Sequence, residues 1–145
     1  MFETLAYYIT VFYRSFAGYT SGQLQKLGLH FGSLFLVLYV GKHPGCSQAQ
    51  LTAALGLDWG YSQRSITRLV EQGFLTRVKA GRAYRLGLSE KGKEAFSLSH
   101  QVFLDWDETA LSALTAAERQ QLFALLGKLN ARQENAECMK PLQAP

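Results

Sequence analysis

Cations are the residues best suited to chemistry in this 145-residue chain, and they are concentrated. Residues 58–93 carry eight of the fifteen Lys and Arg but only three of the eleven acids, so this stretch is +5 while the remainder sums to −1. Arg64 and Arg68 lie in a segment of helical periodicity. Behind it comes Thr76-Arg77-Val78-Lys79-Ala80-Gly81-Arg82-Ala83-Tyr84-Arg85-Leu86-Gly87, where large side chains alternate around a Gly-containing turn. Cations on a helix and on a neighbouring hairpin suit a polyanion, because neutralising phosphates and releasing their counterions supplies most sequence-independent affinity for nucleic acid. The outward residues Tyr61, Gln63, Arg64, Thr67 and Arg68 are of kinds that also read sequence. Arg pairs bidentately with guanine and Gln with adenine, while Tyr and Thr suit phosphates or thymine methyls. Lys79 and Arg82 flank the turn and are expected to add charge at a groove. The plain alternative is a solvated basic face.

Other chemistries find no support in the residues. There is no Gly-rich phosphate loop, no nucleophile with a base in local context, and no paired carboxylates in a catalytic motif, so the chain is expected not to be an enzyme and to use no cofactor. Asp105 and Asp107 beside Trp106 diverge by about 200° on a helix and read as a solvated face. Cys46 follows His43 by three residues, which is too few ligands for a metal site. A thiol-responsive role for Cys46 and a protein-contact role for the basic module are the alternatives kept open. No apolar run reaches the roughly 18 residues of a membrane span. Met1-Phe2-Glu3-Thr4 lacks a basic region ahead of an apolar stretch, so the protein is expected to be cytoplasmic, with no membrane partner.

The elements that position these cations can be read from spacing. Leu5, Tyr8, Ile9, Phe12, Phe16 and Tyr19 recur at helical intervals and predict an aromatic helix over 3–19. A second helix covers 30–41 and stops at Lys42-His43-Pro44-Gly45. Ser47 with Gln50 forms a capping box for a short third helix, and Asp58 caps a fourth that runs to Gln72 with Ile66, Leu69 and Val70 inward. Strands over 75–79 and 82–88 are joined at Ala80-Gly81. Ser89 opens a fifth helix to about Leu114, and Thr115-Ala116-Ala117-Glu118 opens a sixth with the stripe Leu122, Leu125, Leu126 and Leu129. This is a mainly α chain with a small β-wing, a winged helix-turn-helix. Tyr8, Phe12, His30 and Phe35 are candidates to line a pocket, although aromatics at helical spacing more often form core or interface.

This order of elements resembles the MarR (multiple antibiotic resistance regulator) family of bacterial winged-helix transcription factors over nearly the whole chain. The marks are Pro44-Gly45-Cys46-Ser47-Gln48, Leu55-Gly56-Leu57-Asp58, Arg64 with Leu69, Gly73-Phe74-Leu75, and Leu88-Ser89-Glu90-Lys91-Gly92. Two segments depart. Asp58-Trp59-Gly60-Tyr61 replaces the commoner Asp-Arg-Ser-Thr type, and the wing Lys79-Ala80-Gly81-Arg82-Ala83 is shorter and lacks the usual Asp before its Arg. The resemblance implies a homodimeric regulator, a repressor, on a pseudo-palindromic double-stranded DNA operator, released by a small aromatic effector. It also implies a dimerisation helix and linker over 1–29, a DNA-binding domain over 30–92 and dimerisation helices over 93–135, and the proline-containing C-terminus is expected to be a flexible tail over 136–145.

Overall fold

A computed structural model describes residues 3–134; the expected tail and Cys138 lie outside them. The chain divides into two compact units at Trp106/Asp107. In the first, α1 (Leu5–Gln25), α2 (Phe31–Lys42), α3 (Gln48–Ala54) and α4 (Trp59–Glu71) precede the antiparallel pair β1 (Leu75–Ala80) and β2 (Ala83–Leu88) and the start of α5 (Glu90–Ala110). The second contains the end of α5 and α6 (Ala116–Glu134). A mainly helical chain with one two-stranded sheet is the expected fold class.

The first helix runs six residues beyond the expected Tyr19, through Gly18 and Gly22. Each glycine costs a helix about 1 kcal/mol. Burial offsets that cost, because Thr20 and Leu24 are fully buried and Thr20 Oγ1 donates back to the Phe16 carbonyl at 2.7 Å. Gly28, at φ +74°, then releases the chain, while Leu29 N still donates to Leu24 O at 3.1 Å. The C-terminal part of α1 therefore belongs to the core of the first unit, where Leu24 and Leu29 join Leu34, Val37, Val40, Leu51, Ile66, Leu69, Phe74 and Leu86.

Capping fixes the short elements. Ser47 and Gln50 form both bonds of the expected capping box, and Asp58 accepts from Tyr61 N at 3.0 Å to start α4. A feature without an apolar signature locks α3 to α4: Thr52 Oγ1 donates to Gln48 O at 2.7 Å, so its 2.6 Å partner, the fully buried Ser62 hydroxyl, is the donor between them. Val70, expected inward, is only half-buried.

At the hairpin, Ala80 pairs with Ala83, so the turn is Gly81-Arg82 and not Ala80-Gly81. Gly81 takes φ +66° and Arg82 does not leave negative φ, the pattern of a type II′ turn with glycine first. The 45–46 segment pairs with the edge of β2 through Gly45 N to Leu86 O and Leu86 N to Cys46 O, both 2.8 Å. Ser89 joins strand and helix: its hydroxyl lies against the carbonyls of Gly73 and Phe74 and accepts from Gly92 N at 2.9 Å. The fifth helix ends at Ala110, four residues before the expected Leu114. Leu111–Leu114 form a turn that leads into the Thr115/Glu118 capping box, whose two bonds are 3.0 and 3.2 Å. Those hydrogen bonds hold the Glu118 carboxyl below its usual range.

Candidate nucleic-acid interface

The fourth helix puts Ser62, Ile66 and Leu69 inward, which turns Gln63, Arg64 and Arg68 to solvent on the opposite face. Arg64 lies back along the first turn, where Gly60 leaves it room: a Cβ on Gly60 would stand 3.1 Å from Arg64 Nη1 and 3.2 Å from Asp58 Oδ2. Two residues of the expected set are placed differently. Tyr61 sets its hydroxyl against Gly32 on the first turn of α2, where an added Cβ would meet it at 2.9 Å, so this oxygen is not turned outward. Thr67 is half-buried and accepts from Arg77 Nη1 at 3.4 Å.

On the hairpin, paired residues share a face, so Leu75, Arg77, Lys79, Tyr84, Leu86 and Leu88 lie on one side. Its base is core, since Leu75 and Leu86 are buried, and its tip is exposed at Arg77, Lys79 and Tyr84. Arg77 stacks 5.5 Å from the Tyr84 ring centroid. Arg82 is exposed in the turn itself, and Arg85, on the other face, reaches Gly45 O at 3.4 Å. Among the described residues, the ion pairs Lys93–Glu90 and Arg119–Glu108 leave Arg64, Arg68, Lys79 and Arg82 without an anionic partner. The arrangement can therefore present cations on two adjoining protrusions, one helical and one extended.

Spacing alone overlooked three residues here. Arg77 was visible as a charge, but its link to α4 depends on tertiary approach. Trp59, at 54% exposure, opens α4 with a large apolar side chain that no core demands. Lys91 donates to Gln72 O at 2.9 Å and lies over the Phe74 ring at 4.3 Å, which fastens the end of α4 to the start of α5.

The four aromatic-pocket candidates are not gathered in one cavity. His30 lines a cleft of about 200 Å³ with Ser21, Gly22, Gln25 and Leu29. Tyr8 and Phe12 are exposed on the N-terminal half of α1, roughly 14–20 Å of helix rise before Ser21. Phe35 faces Phe103 at 6.0 Å between ring centroids, beside the Phe16 and Trp106 cluster. The thiol alternative meets a correction: Cys46 is 5% exposed and burial pushes its thiol up, the opposite of a reactive thiolate. His43 stacks on Tyr39 at 4.3 Å and turns Nδ1 to the Tyr39 carbonyl, and no group of potential metal ligands forms among the described residues. No helix of the described residues is long and apolar enough to cross a membrane.

Known proteins share this architecture. The MarR family model matches residues 27–85, from the turn after α1 through Arg85 of the hairpin. The HTH-type transcriptional regulator BilQ of Clostridium symbiosum (strain WAL-14163) is 41% identical over 143 residues, 97% of this chain and 99% of its own. A MarR transcriptional regulator from Methanosarcina mazei Go1 has the same fold at TM-score 0.83 and 24% identity, covering 89% of this chain and 88% of that one. So does a MarR family regulator from Listeria monocytogenes complexed with a 26mer DNA, at TM-score 0.83 and 20% identity over 92% and 91% of the two chains. Fold, family model and near full-length relative agree that this chain belongs to the MarR family of helix-turn-helix, DNA-binding transcriptional regulators, which are not enzymes.

Proposed function

We propose that the chain is a homodimeric, sequence-specific repressor that places α4 in the major groove and the 75–88 hairpin at the adjoining minor groove. The observation that carries this reading is the set of exposed cations Arg64, Arg68, Lys79 and Arg82 on those two protrusions, none of them in an ion pair among the described residues. Gln63 and Arg64 are assigned to base edges, Arg68 and Thr67 to the strand beside them, and Lys79 and Arg82 to phosphates. Tyr61 keeps a part through its ring, 42% of the residue being exposed, while its hydroxyl lies beside Gly32 of α2.

Dimerisation is supported by uncovered apolar surface in both units. Leu5, Ile9, Phe12 and Tyr13 on α1 are each at least 47% exposed, and Phe123, Leu125, Leu126 and Leu129 on α6 at least 42%. Patches of this kind mark interfaces. In this reading 1–29 and 93–135 serve assembly and 30–92 serves DNA, with Leu24 and Leu29 tying the end of the first segment into the core of the second. A two-fold dimer reads an inverted repeat whose half-sites lie about 10–10.5 bp apart. Binding-site selection from a random duplex pool is the test: enrichment of such a repeat is expected, and a pool that stays random overturns sequence specificity.

Release by a small aromatic effector is supported more narrowly. The cleft at His30, about 200 Å³, is smaller than the usual ligand pocket of about 300–1,000 Å³, and a single-ring ligand is the size that suits it. Phe35 offers a second aromatic wall near Phe103, whereas Tyr8 and Phe12 fit the dimer role better. Titrating single-ring aromatic acids into the protein–DNA complex should lower affinity about five- to 150-fold. Unchanged affinity across a broad panel removes the effector.

A further inference from the structure

The DNA-facing surface holds one side-chain cluster that joins its two protrusions. Arg77 of β1 donates through Nη1 to Thr67 Oγ1 of α4 at 3.4 Å, and the same guanidinium sits 5.5 Å from the centroid of Tyr84 on β2. Arg77 and Tyr84 share a face of the hairpin because Lys79 pairs with Tyr84 and Arg77 with Leu86. Both are exposed, and Thr67 is half-buried. Such a contact uses one of the five N–H donors of the guanidinium, and no other hydrogen bond of the Arg77 side chain is formed among the described residues. Thr67 accepts through its oxygen, so its own hydrogen remains able to donate. Neither ion pair of the described residues involves Arg77, and Arg68 and Lys79 add positive charge on the same two elements.

We propose that Arg77, oriented by Thr67 and Tyr84, forms a seat for one backbone phosphate between the helix and the hairpin. The inference rests on the reading of α4 and the hairpin as the DNA-binding surface. When a helix occupies the major groove and a hairpin the next minor groove, the sugar-phosphate strand that separates the two grooves crosses whatever connects them. Here the connection is the Arg77–Thr67 pair. A phosphodiester accepts from a planar guanidinium in bidentate fashion and from a hydroxyl beside it, a fit that an ammonium does not reproduce. Thr67 is thus a positioning residue with its own donor, and Tyr84 holds the guanidinium plane by cation–π contact.

The test uses the full chain and a duplex obtained by selection, with affinity measured by fluorescence anisotropy at several salt concentrations. Arg77→Ala should flatten the slope of log affinity against log salt by about 0.9 for each protomer bound, with sequence preference retained. Arg77→Lys should keep the slope yet weaken binding several-fold. Thr67→Val, close to isosteric, should weaken binding several-fold at unchanged slope, and its effect should be less than additive with Arg77→Ala. A lowered melting temperature for Arg77→Ala with an unchanged salt slope would make Arg77 a structural strut and overturn the seat. Strict additivity of the two substitutions would do the same. If Lys79→Ala/Arg82→Ala flattens the slope while Arg77→Ala does not, the seat alone fails. If no substitution on either element moves the slope, the DNA-binding reading of this surface fails with it.

Discussion

Lys79 and Arg82 carry charge where nothing in the fold requires it. Both are exposed on a two-residue turn and its shoulder, without an anionic partner among the described residues. Replacing both with Ala should therefore leave the melting temperature nearly unchanged while lowering affinity for every duplex and flattening its salt dependence, which anisotropy titrations read directly. Gly60 makes the complementary case. Alanine there favours the helix by up to about 1 kcal/mol. Its Cβ would stand 3.1 Å from the flexible Arg64 Nη1 but also 3.2 Å from Asp58 Oδ2, the oxygen that caps α4. Gly60→Ala is expected to leave thermal stability nearly unchanged, the helix gain offset by crowding of the cap, but to shift base preference, seen by comparing selected sequences from parent and variant. Types and spacing were enough to single out Gln63, Arg64 and Arg68 as outward residues, because burial of Ile66 and Leu69 fixes the helix face. They were not enough for Tyr61 or Arg77, whose side chains lie against Gly32 of α2 and Thr67 of α4, contacts between elements that helix or strand spacing does not show.

Close packing between elements sets where α4 and the hairpin stand. A Cβ on Gly92 of α5 would lie 2.0 Å from the Phe74 carbonyl oxygen, a backbone atom that cannot turn aside. At Gly41 of α2 a Cβ would meet the Phe96 ring at 2.3 Å. Gly92→Ala should cost about 3 kcal/mol or more and Gly41→Ala about 1–3 kcal/mol, since an aromatic ring can shift where a backbone cannot. Urea unfolding of the two variants checks both the loss and its order. Removing the cap with Ser89→Ala should cost about 1 kcal/mol, with the Gly92 N–H left unpaired. Element boundaries were legible where a side chain caps, as at Ser47, Asp58, Ser89 and Thr115. They slipped where burial decides: α1 continues past its last aromatic because Thr20 and Leu24 reach the core. The buried Ser62–Thr52 hydroxyl pair had no hydrophobic signature at all.

For the whole molecule, the proposed dimer ties assembly to DNA recognition, since an inverted repeat requires two copies of α4 at a fixed spacing. Leu126→Glu introduces a charge on the exposed apolar face of α6 and should give a monomer in sedimentation, with DNA affinity reduced at least tenfold. A parent chain that sediments as a monomer at micromolar concentration would contradict the paired arrangement. The mainly helical fold with its small wing was legible because its elements carry local signals of periodicity, capping or turn chemistry, while a cleft depends on contacts between distant segments, which is why His30 lies apart from Tyr8 and Phe12. The central claim is that α4 and the hairpin form the DNA-binding surface, with Arg64 and Arg68 on the major-groove side. The most direct measurement is the affinity of the parent, Arg64→Ala and Arg68→Ala for the selected duplex and a scrambled one at several salt concentrations. A base contact should cost about 1–3 kcal/mol per site and narrow the gap between the two duplexes, and a phosphate contact should lower both affinities together and flatten the salt slope. Variants that bind both duplexes like the parent would contradict the account.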